Sequence, residues 1–136
     1  MTINGGCLCG AIRYEVSGDP LAKIACHCRA CQYVAGGAPT LVAVFPHSTL
    51  TITKGVPKTY WSTADSGETV GRSFCEVCGT PLFAAPKRNP GFTAVKVGSL
   101  DDPSTFAVQA DIWRGAAQPW HVPHAGAMQF ETNPRQ

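Results

Sequence analysis

Three thiols and an imidazole lie within six residues of this chain, in the segment Cys26–Cys31, which reads CHCRAC. Thiolate sulfurs at such short spacing can bind one soft metal ion with little rearrangement of the backbone. Three cysteines leave a tetrahedral zinc ion one ligand short, and an open position of this kind binds water or substrate in catalytic sites. The segment therefore predicts a reactive metal site with Cys26, Cys28 and Cys31 as ligands.

The other four cysteines form two pairs, Cys7 with Cys9 in GCLCG and Cys75 with Cys78 in FCEVCG. A glycine follows each pair directly and can adopt the positive φ that turns backbone amides toward the sulfurs, whereas the segment Cys26–Cys31 has no such glycine. This difference favours a closed structural zinc site made by the two pairs and a separate open site. Spacing alone leaves open which pair joins which, and buried inert thiols are the alternative for some of the seven.

The number of cysteines is odd, and the N-terminal residues lack the basic and apolar regions of a signal peptide. We therefore predict a cytoplasmic protein with reduced thiols. The spacing of Cys75 and Cys78 also occurs in thioredoxin-like redox sites, but those sites open a helix. Here Gly79, Thr80 and Pro81 follow at once, which disfavours redox chemistry.

The composition excludes several classes of partner. The formal net charge is only +2, and the basic residues are scattered rather than clustered, so nucleic acid is not an expected partner. No apolar run approaches the ~20 residues that a membrane-spanning helix needs. Small molecules are the expected partners, and the sequence predicts no oligomeric state.

Short segments of β type, separated by proline, glycine, aspartate and asparagine, predict an all-β fold with little helix. The chain contains 11 prolines and 14 glycines, and only Cys28–Val34 looks able to form a helical turn. We expect a single domain over residues 1–136, with its core over residues 3–130 and a frayed tail at Asn133–Gln136. It should have about nine or ten short strands in a sandwich or an open barrel, with segments at Ala11–Val16, Leu21–Ala25, Thr40–Phe45, Thr49–Thr53, Lys58–Trp61, Thr69–Phe74, Pro81–Ala84, Phe92–Val97 and Phe106–Trp113.

The three cysteine groups, read as GCLCG from Gly6, CHCRAC from Cys26 and RSFCEVCG from Arg72, resemble the glutathione-dependent formaldehyde-activating (GFA) enzyme family. That family also includes the centromere protein V domain. The similarity continues in GSLDDP from Gly98 and in Ile112–Trp113, followed by Trp120. The resemblance implies a zinc-bound β-tent fold with two zinc ions per chain. By position, the structural ligands are Cys7, Cys9, Cys75 and Cys78, and the catalytic ligands are Cys26, Cys28 and Cys31.

The resemblance also implies a reaction, that of a carbon–sulfur lyase similar to S-(hydroxymethyl)glutathione synthase. A glutathione-like thiol would be activated at the open zinc site for addition to formaldehyde or a similar aldehyde. Three thiolates make a zinc ion a poorer Lewis acid than three histidines would, which favours thiol chemistry over hydrolysis. The alternative is a thiol carrier or protein-interaction module that zinc holds together and that does not catalyse a reaction.

Three histidines and one aspartate are candidates for further ligands or substrate contacts. His27 lies between two ligands, so strand alternation predicts that its ring points away from the metal. Members of the family often carry histidine where this chain has Asp111, and we expect the change to bear on the substrate. His121 and His124 lie in a loop-like stretch, where they could reach the open zinc or be exposed.

Aromatic and basic side chains are the remaining candidates for a substrate pocket. Trp113, Trp120 and Phe92 could form its wall, or they could pack in a β core. Arg29 and Arg72 could bind carboxylates of a glutathione-like substrate, or they could be solvated surface residues. The sequence assigns no residue as a general acid or base.

Overall fold

Eleven short strands lie in two sheets within the residues that the computed structural model describes, 1–88 and 91–134. The predicted all-β class is confirmed, with slightly more strands than expected. The one α-helix in these ranges, α1, spans Arg29–Val34, close to the helical turn predicted at Cys28–Val34. The strands are β1 Thr2–Gly6, β2 Arg13–Ser17, β3 Ala22–Cys26, β4 Thr40–Pro46, β5 Leu50–Lys54, β6 Lys58–Thr63, β7 Thr69–Phe74, β8 Pro81–Pro86, β9 Phe92–Lys96, β10 Ala110–Ile112 and β11 Met128–Gln129.

The larger sheet has eight strands in the order β11-β10-β3-β4-β9-β8-β7-β6, and the smaller sheet has the order β1-β2-β5. All pairings from β3 through β6 are antiparallel, whereas β10 runs parallel to both β3 and β11. In the described part of the chain the strands β11 and β6 are edges, so the larger sheet is open and forms no barrel.

The hydrophobic core packs the smaller sheet against one face of the larger one. Its largest buried side chains include Tyr14 from β2, Phe45 from β4 and Leu82 from β8. The Tyr14 hydroxyl lies 2.6 Å from Ser99 Oγ. A Cβ at Gly5 would lie 2.4 Å from the Tyr14 ring, so glycine is required where β1 passes over this ring.

Three strands differ from the predicted segments: β10 is shorter than expected, and β1 and β11 were not expected. The expected strand over Phe106–Trp113 is reduced to Ala110–Ile112, because Phe106 N–H bonds back to Pro103 in a turn and Trp113 leaves the strand with φ of 58°. The strand β1 was not expected, since its NGG sequence has low β propensity. It forms by antiparallel pairing with β2, and Gly5 leaves room for the Tyr14 ring.

The end of the described chain contacts the larger sheet. The indole Nε1–H of Trp113 donates a hydrogen bond of 2.9 Å to Asn133 Oδ1. Of the segment predicted to fray, Arg135 and Gln136 lie outside the described residues. Among the helices in the described ranges, none has the length and apolar character that crossing a membrane requires.

Candidate metal centres

Four cysteine sulfurs from two distant turns meet at one point. Cys7 and Cys9 lie in the turn between β1 and β2, and Cys75 and Cys78 lie in the turn between β7 and β8. Their Sγ atoms all lie within 4.8 Å of one another, with 3.6 Å between Cys7 and Cys9 and 3.8 Å between Cys9 and Cys75. We call this group the tetrad, and it could hold a metal ion.

The backbone turns that form the tetrad need the two glycines that follow the cysteine pairs. Gly10 has φ of 81° and Gly79 has φ of 78°, which confirms the predicted left-handed conformation. Gly10 N–H bonds to the carbonyl of Cys7 at 3.1 Å, and Gly79 N–H bonds to that of Cys75 at 2.8 Å. The amide of Ile12 donates to Cys7 Sγ at 3.2 Å. Each turn therefore directs sulfur toward the shared point.

Hydrogen bonds stabilise part of the negative charge that a metal-bound tetrad would carry. The hydroxyl and amide of Thr80 lower the pKa of Cys78 to about 5. The Ala11 amide lowers the pKa of Cys9, but the nearby Cys7 sulfur opposes it, and the net pKa is raised to about 11. Four sulfurs this close can all ionise only around a cation, so the donor set suits a thiophilic ion such as zinc.

The second cysteine group lies within one short stretch of chain. Cys26 ends β3, Cys28 is the N-cap residue of α1, and Cys31 lies in the first turn of that helix. The Cys28 sulfur accepts a hydrogen bond from the amide of Cys31 at 3.4 Å. The three Sγ atoms all lie within 4.8 Å of one another. We call this group the trio, and it could also hold a metal ion.

Crowding separates the acidities of the three thiols in the trio. Hydrogen bonds from Cys26 and Cys28 lower the pKa of Cys31 to about 2. The pKa of Cys26 is raised, because its proton is shared with the Cys28 and Cys31 sulfurs and because it is buried. Three sulfurs this close to one another need a cation before all three ionise.

The trio opens into a cavity of about 550 Å³, which we call the trio cavity. Its wall is largely apolar, and its charged side chains among the described residues are Lys96, Arg72 and Asp65. The tetrad cysteines do not line it. A pocket of this size and character is typical of a small-molecule site. Of the two cysteine groups, the trio is the one that a substrate in this cavity can reach.

Lys96 is a buried cation that the sequence analysis missed. Only 6% of its surface is exposed, and its ammonium makes no hydrogen bond or ion pair with residues in the ranges 1–88 and 91–134. Burial lowers the pKa of Lys96, while negative charge on Cys31 raises it in part. The sequence signal was weak, because a lysine that ends a strand is usually exposed.

His27 lies on the far side of the trio from the cavity, within a buried polar network. It does not line the trio cavity, and its Nε2 lies 2.8 Å from Asp111 Oδ1. Its Nδ1 lies 3.2 Å from His121 Nδ1. Both His27 and Asp111 are completely buried. His121 and His124 were expected to reach the open zinc or to be exposed. Instead, His121 is buried against His27, and His124 contacts Asp111.

Asp111 is the centre of this network. Its carboxylate accepts hydrogen bonds from the amide of His124 at 2.8 Å and from Gln129 Nε2 at 2.7 Å, and its Oδ1 lies 2.8 Å from His124 Nδ1. Burial raises the pKa of this carboxyl, but the contacts with His27, Gln129 and His124 outweigh it and the net pKa is lowered. His27, Asp111 and His124 are close enough to hold an ion, but hydrogen bonding already accounts for their contacts. The network fixes β10 against β3 beside the trio.

The aromatic candidates divide between the trio cavity and the surface. Trp113 and Phe92 line the cavity. Trp113 is the one non-glycine residue with positive φ in the described ranges, a strained conformation that often marks functional positions. Trp120 is 64% exposed and packs edge-on against His121, with ring centroids 4.5 Å apart.

The two candidate arginines differ in whether they line the trio cavity. Arg72 lines the trio cavity and donates a hydrogen bond of 2.8 Å to Ser62 Oγ. Arg29 does not line it; its guanidinium lies 4.9 Å from the centroid of the exposed Tyr33 ring. Of the two, Arg72 is the one placed to meet a ligand.

Comparisons with known proteins agree with the cysteine pattern. The family model described as "Glutathione-dependent formaldehyde-activating enzyme" matches residues 2–116. A relative from Halomonas elongata, named "Putative glutathione-dependent formaldehyde-activating enzyme", is 28% identical over 118 residues, which cover 84% of this chain and 70% of the relative. A crystal structure of a Rhodobacter sphaeroides protein has a similar fold, with a TM-score of 0.57 and 24% identity over 72% of this chain and 87% of that one. The chain therefore belongs to the glutathione-dependent formaldehyde-activating enzyme family.

Proposed function

We propose that this protein binds one zinc ion in the tetrad and one in the trio, and that it is a carbon–sulfur lyase that joins a glutathione-like thiol to formaldehyde or a similar aldehyde. One observation carries the proposal: three cysteine sulfurs, one short of a tetrahedral set, lie at the wall of a cavity large enough for a small molecule. The family and the name of the Halomonas relative support the choice of thiol and aldehyde.

The residues of the trio fit a zinc ion because all three donors are thiols that ionise together only with a cation. Cys26, Cys28 and Cys31 would hold the zinc ion, which would favour the thiolate form of an incoming thiol. The chain contributes rigidity, since β3 and α1 fix the three sulfurs.

The buried ammonium of Lys96 offsets negative charge at the trio. It also supplies a cation in a site of low polarity, where charge interactions are stronger than in water. In the proposed reaction the thiol sulfur bonds to the carbonyl carbon, and the oxygen gains negative charge before it takes a proton. Lys96 and Arg72 line the cavity and can stabilise that oxygen.

We also propose one domain over residues 1–136 and a cytoplasmic location. A bridge between Gly5 and Leu100 ties β1 of the smaller sheet to the segment that follows β9 of the larger sheet, which supports one folding unit. All seven cysteines, each within the described ranges, are free thiols, which is consistent with a reducing compartment.

The test is the rate of adduct formation from glutathione and formaldehyde, followed by NMR, with zinc-loaded protein. We expect acceleration above the spontaneous rate, and a return to the spontaneous rate with Cys28→Ser. Leu8→Ser, on an exposed side chain beside the tetrad, is the matched control and should keep full activity. Glutathione binding without any acceleration would contradict the enzyme and support the non-catalytic thiol carrier.

A further inference from the structure

The wall of the trio cavity is one face of the larger sheet, and strand register places its residues in rungs. Cys26 and Ile24 alternate onto this face of β3, and Ile24 pairs with Val42 on β4. Val42 in turn pairs with Lys96 on β9. The rung next to Cys26 therefore consists of two branched apolar side chains and one ammonium.

The following rungs, farther from the trio, are apolar over most of their width. Val44 pairs with Ala94, and Ala94 pairs with Ala84 on β8. Phe92 lies two residues beyond Ala94 on β9, and it also faces the cavity. Arg72 ends this row at β7. A molecule that lies along β3, β4 and β9 therefore contacts hydrocarbon until it approaches the trio, with Arg72 at the edge of the row.

This pattern of one buried cation beside a long apolar wall limits what the cavity can hold. The Lys96 ammonium makes no hydrogen bond or ion pair with the described residues and interacts only electrostatically with the trio sulfurs, so an oxygen of the ligand that gains negative charge beside the trio complements it. Formaldehyde has no hydrocarbon to place on the wall. Glutathione is a peptide with charged ends, which gain nothing from alanine, valine and phenylalanine side chains. Neither of the family's nominal substrates therefore has a hydrocarbon group that would pack on this wall.

We propose that the aldehyde used by this protein carries a hydrocarbon group, aliphatic or aromatic, that packs on the rungs formed by Ile24, Val42, Val44, Ala94 and Phe92. The carbonyl end lies at the trio and at Lys96. This inference rests on the proposed function and specifies the substrate class at the same site.

The reaction balances without an oxidant or a reductant. The thiol loses one proton, and the lone pair of its sulfur forms the bond to the carbonyl carbon. The π pair of the carbonyl moves to oxygen, which takes one proton in place of the one that the thiol lost. The product is a hemithioacetal whose hydrocarbon group stays on the wall.

The first measurement compares kcat/KM for formaldehyde, propanal, pentanal and heptanal with glutathione. Burial of each methylene on the wall should raise kcat/KM about fourfold until the wall is filled. The second measurement is the dissociation constant of propan-1-ol, pentan-1-ol and heptan-1-ol, which cannot react. Calorimetry and the fluorescence of the tryptophans, which include Trp113 at this cavity, report binding, and the same dependence on chain length is expected.

Ala94→Leu fills the middle of the wall and should remove the dependence on chain length in both measurements. Ala85→Leu is the matched control, because Ala85 does not line the trio cavity and alternates to the other face of β8. Zinc content and thermal unfolding show whether each variant folds. If Ala94→Leu does not fold, Ala84→Leu, at the paired position on the same face, replaces it.

The outcomes separate this inference from the proposed function. Adduct formation with equal kcat/KM for all aldehydes, and no binding of the alcohols, would overturn the inference and leave the proposed function intact. Binding of the alcohols that strengthens with chain length, without adduct formation from any aldehyde, would support the hydrocarbon site and contradict the proposed function. Persistence of the chain-length dependence in Ala94→Leu would also overturn the inference.

Discussion

The tetrad and the trio use the same side chain in two different ways. The tetrad joins turns that are distant in sequence, with Cys9 and Cys75 separated by 66 residues, and it does not line the trio cavity. The trio lies within the segment Cys26–Cys31 and opens into that cavity. Closing a long loop restricts the unfolded chain, whereas closing a six-residue segment restricts it little. The difference supports the proposed division into a structural tetrad and a reactive trio.

The tetrad and the trio also differ in the groups that surround their sulfurs. Hydroxyl and amide groups stabilise the tetrad sulfurs, as Thr80 does for Cys78 and Ile12 does for Cys7. The trio has the buried ammonium of Lys96 beside an apolar wall. Neutral donors stabilise a charge that does not change, while a cation in a cavity can respond to charge that develops during a reaction.

The largest effect should come from Cys9→Ser in the tetrad. The Cys9 side chain is exposed, so serine creates no cavity in the core and only the loss of a metal ligand should matter. Binding of structural zinc contributes on the order of 10 kcal/mol to folding in small zinc modules, which is comparable to the whole stability of a domain. We expect loss of one zinc ion and of the cooperative unfolding transition, measured by zinc analysis and calorimetry.

Leu8→Ser is the control for this prediction, since Leu8 is 90% exposed and lies beside Cys9 in the same turn. It should unfold like the wild-type protein. A Cys9→Ser variant that also unfolds like the wild type would show that the tetrad does not stabilise the fold.

The next effect concerns the network behind the trio. Asp111→Ala leaves His27 and Gln129 without their buried carboxylate partner, and a buried donor left without its acceptor typically costs about 1–3 kcal/mol. We expect a loss of this size in the free energy of unfolding, measured with urea. In contrast to Cys9→Ser, the tetrad zinc ion should be retained.

Asp111 also predicts a dependence on pH. Its pKa is lowered in the folded state, so the unfolded chain binds a proton more readily as the pH falls. The stabilisation by Asp111 is therefore present above the ordinary carboxyl pKa and is lost as the pH falls toward the folded-state pKa. Urea unfolding should be measured between pH 7 and pH 3. The free energy of unfolding of Asp111→Asn should fall less steeply with pH than that of the wild type. Equal slopes would contradict the role given to this carboxylate.

A smaller effect, on rate rather than on folding, should follow from Lys96→Met. Methionine keeps the apolar stem of the side chain and removes the charge, and loss of one group that stabilises a developing oxyanion typically lowers kcat about a hundredfold. Both zinc ions should stay bound. Lys96→Arg should restore part of the rate, and an unchanged kcat in Lys96→Met would exclude Lys96 from the reaction.

The smallest effect should come from Gly79→Ala, at the turn of the tetrad. A Cβ there meets no atom within 4 Å, so the only expected penalty is that of an alanine at positive φ, about 1 kcal/mol. Gly98→Ala is the control, because its Cβ is also free and its φ is not positive. The midpoint of thermal unfolding should be lower for Gly79→Ala than for Gly98→Ala. Equal midpoints would show that the positive φ at position 79 does not require glycine.

Much of this structure could be predicted from the sequence because it depends on local signals. The positive φ of Gly10 and Gly79 follows from the residue type and position, and α1 follows from the segment that ends at Gly36. Short segments of β type between proline, glycine, aspartate and asparagine also predicted most strands of the larger sheet. These features depend on neighbours in sequence, which a pattern records.

The rest depends on contacts between residues far apart in the chain. Nothing near Lys96 in sequence shows that β9 turns its side chain into a cavity beside Cys26. The burial of His27 and His121 depends on the parallel pairing of β10 with β3, which a short strand such as Ala110–Ile112 does not predict. Trp120 lies on the surface although its residue type favours burial, because the turn after Arg114–Ala116 directs it outward.

The most direct test of the difference between the tetrad and the trio is the zinc content of the wild type and of Cys28→Ser, with calorimetry of both. Serine is a preferred N-cap residue, so α1 should form normally in the variant. We expect two zinc ions per chain in the wild type and one in Cys28→Ser, with the cooperative unfolding transition retained. Two zinc ions in the variant, or loss of its folded state, would contradict the division into a structural tetrad and a reactive trio.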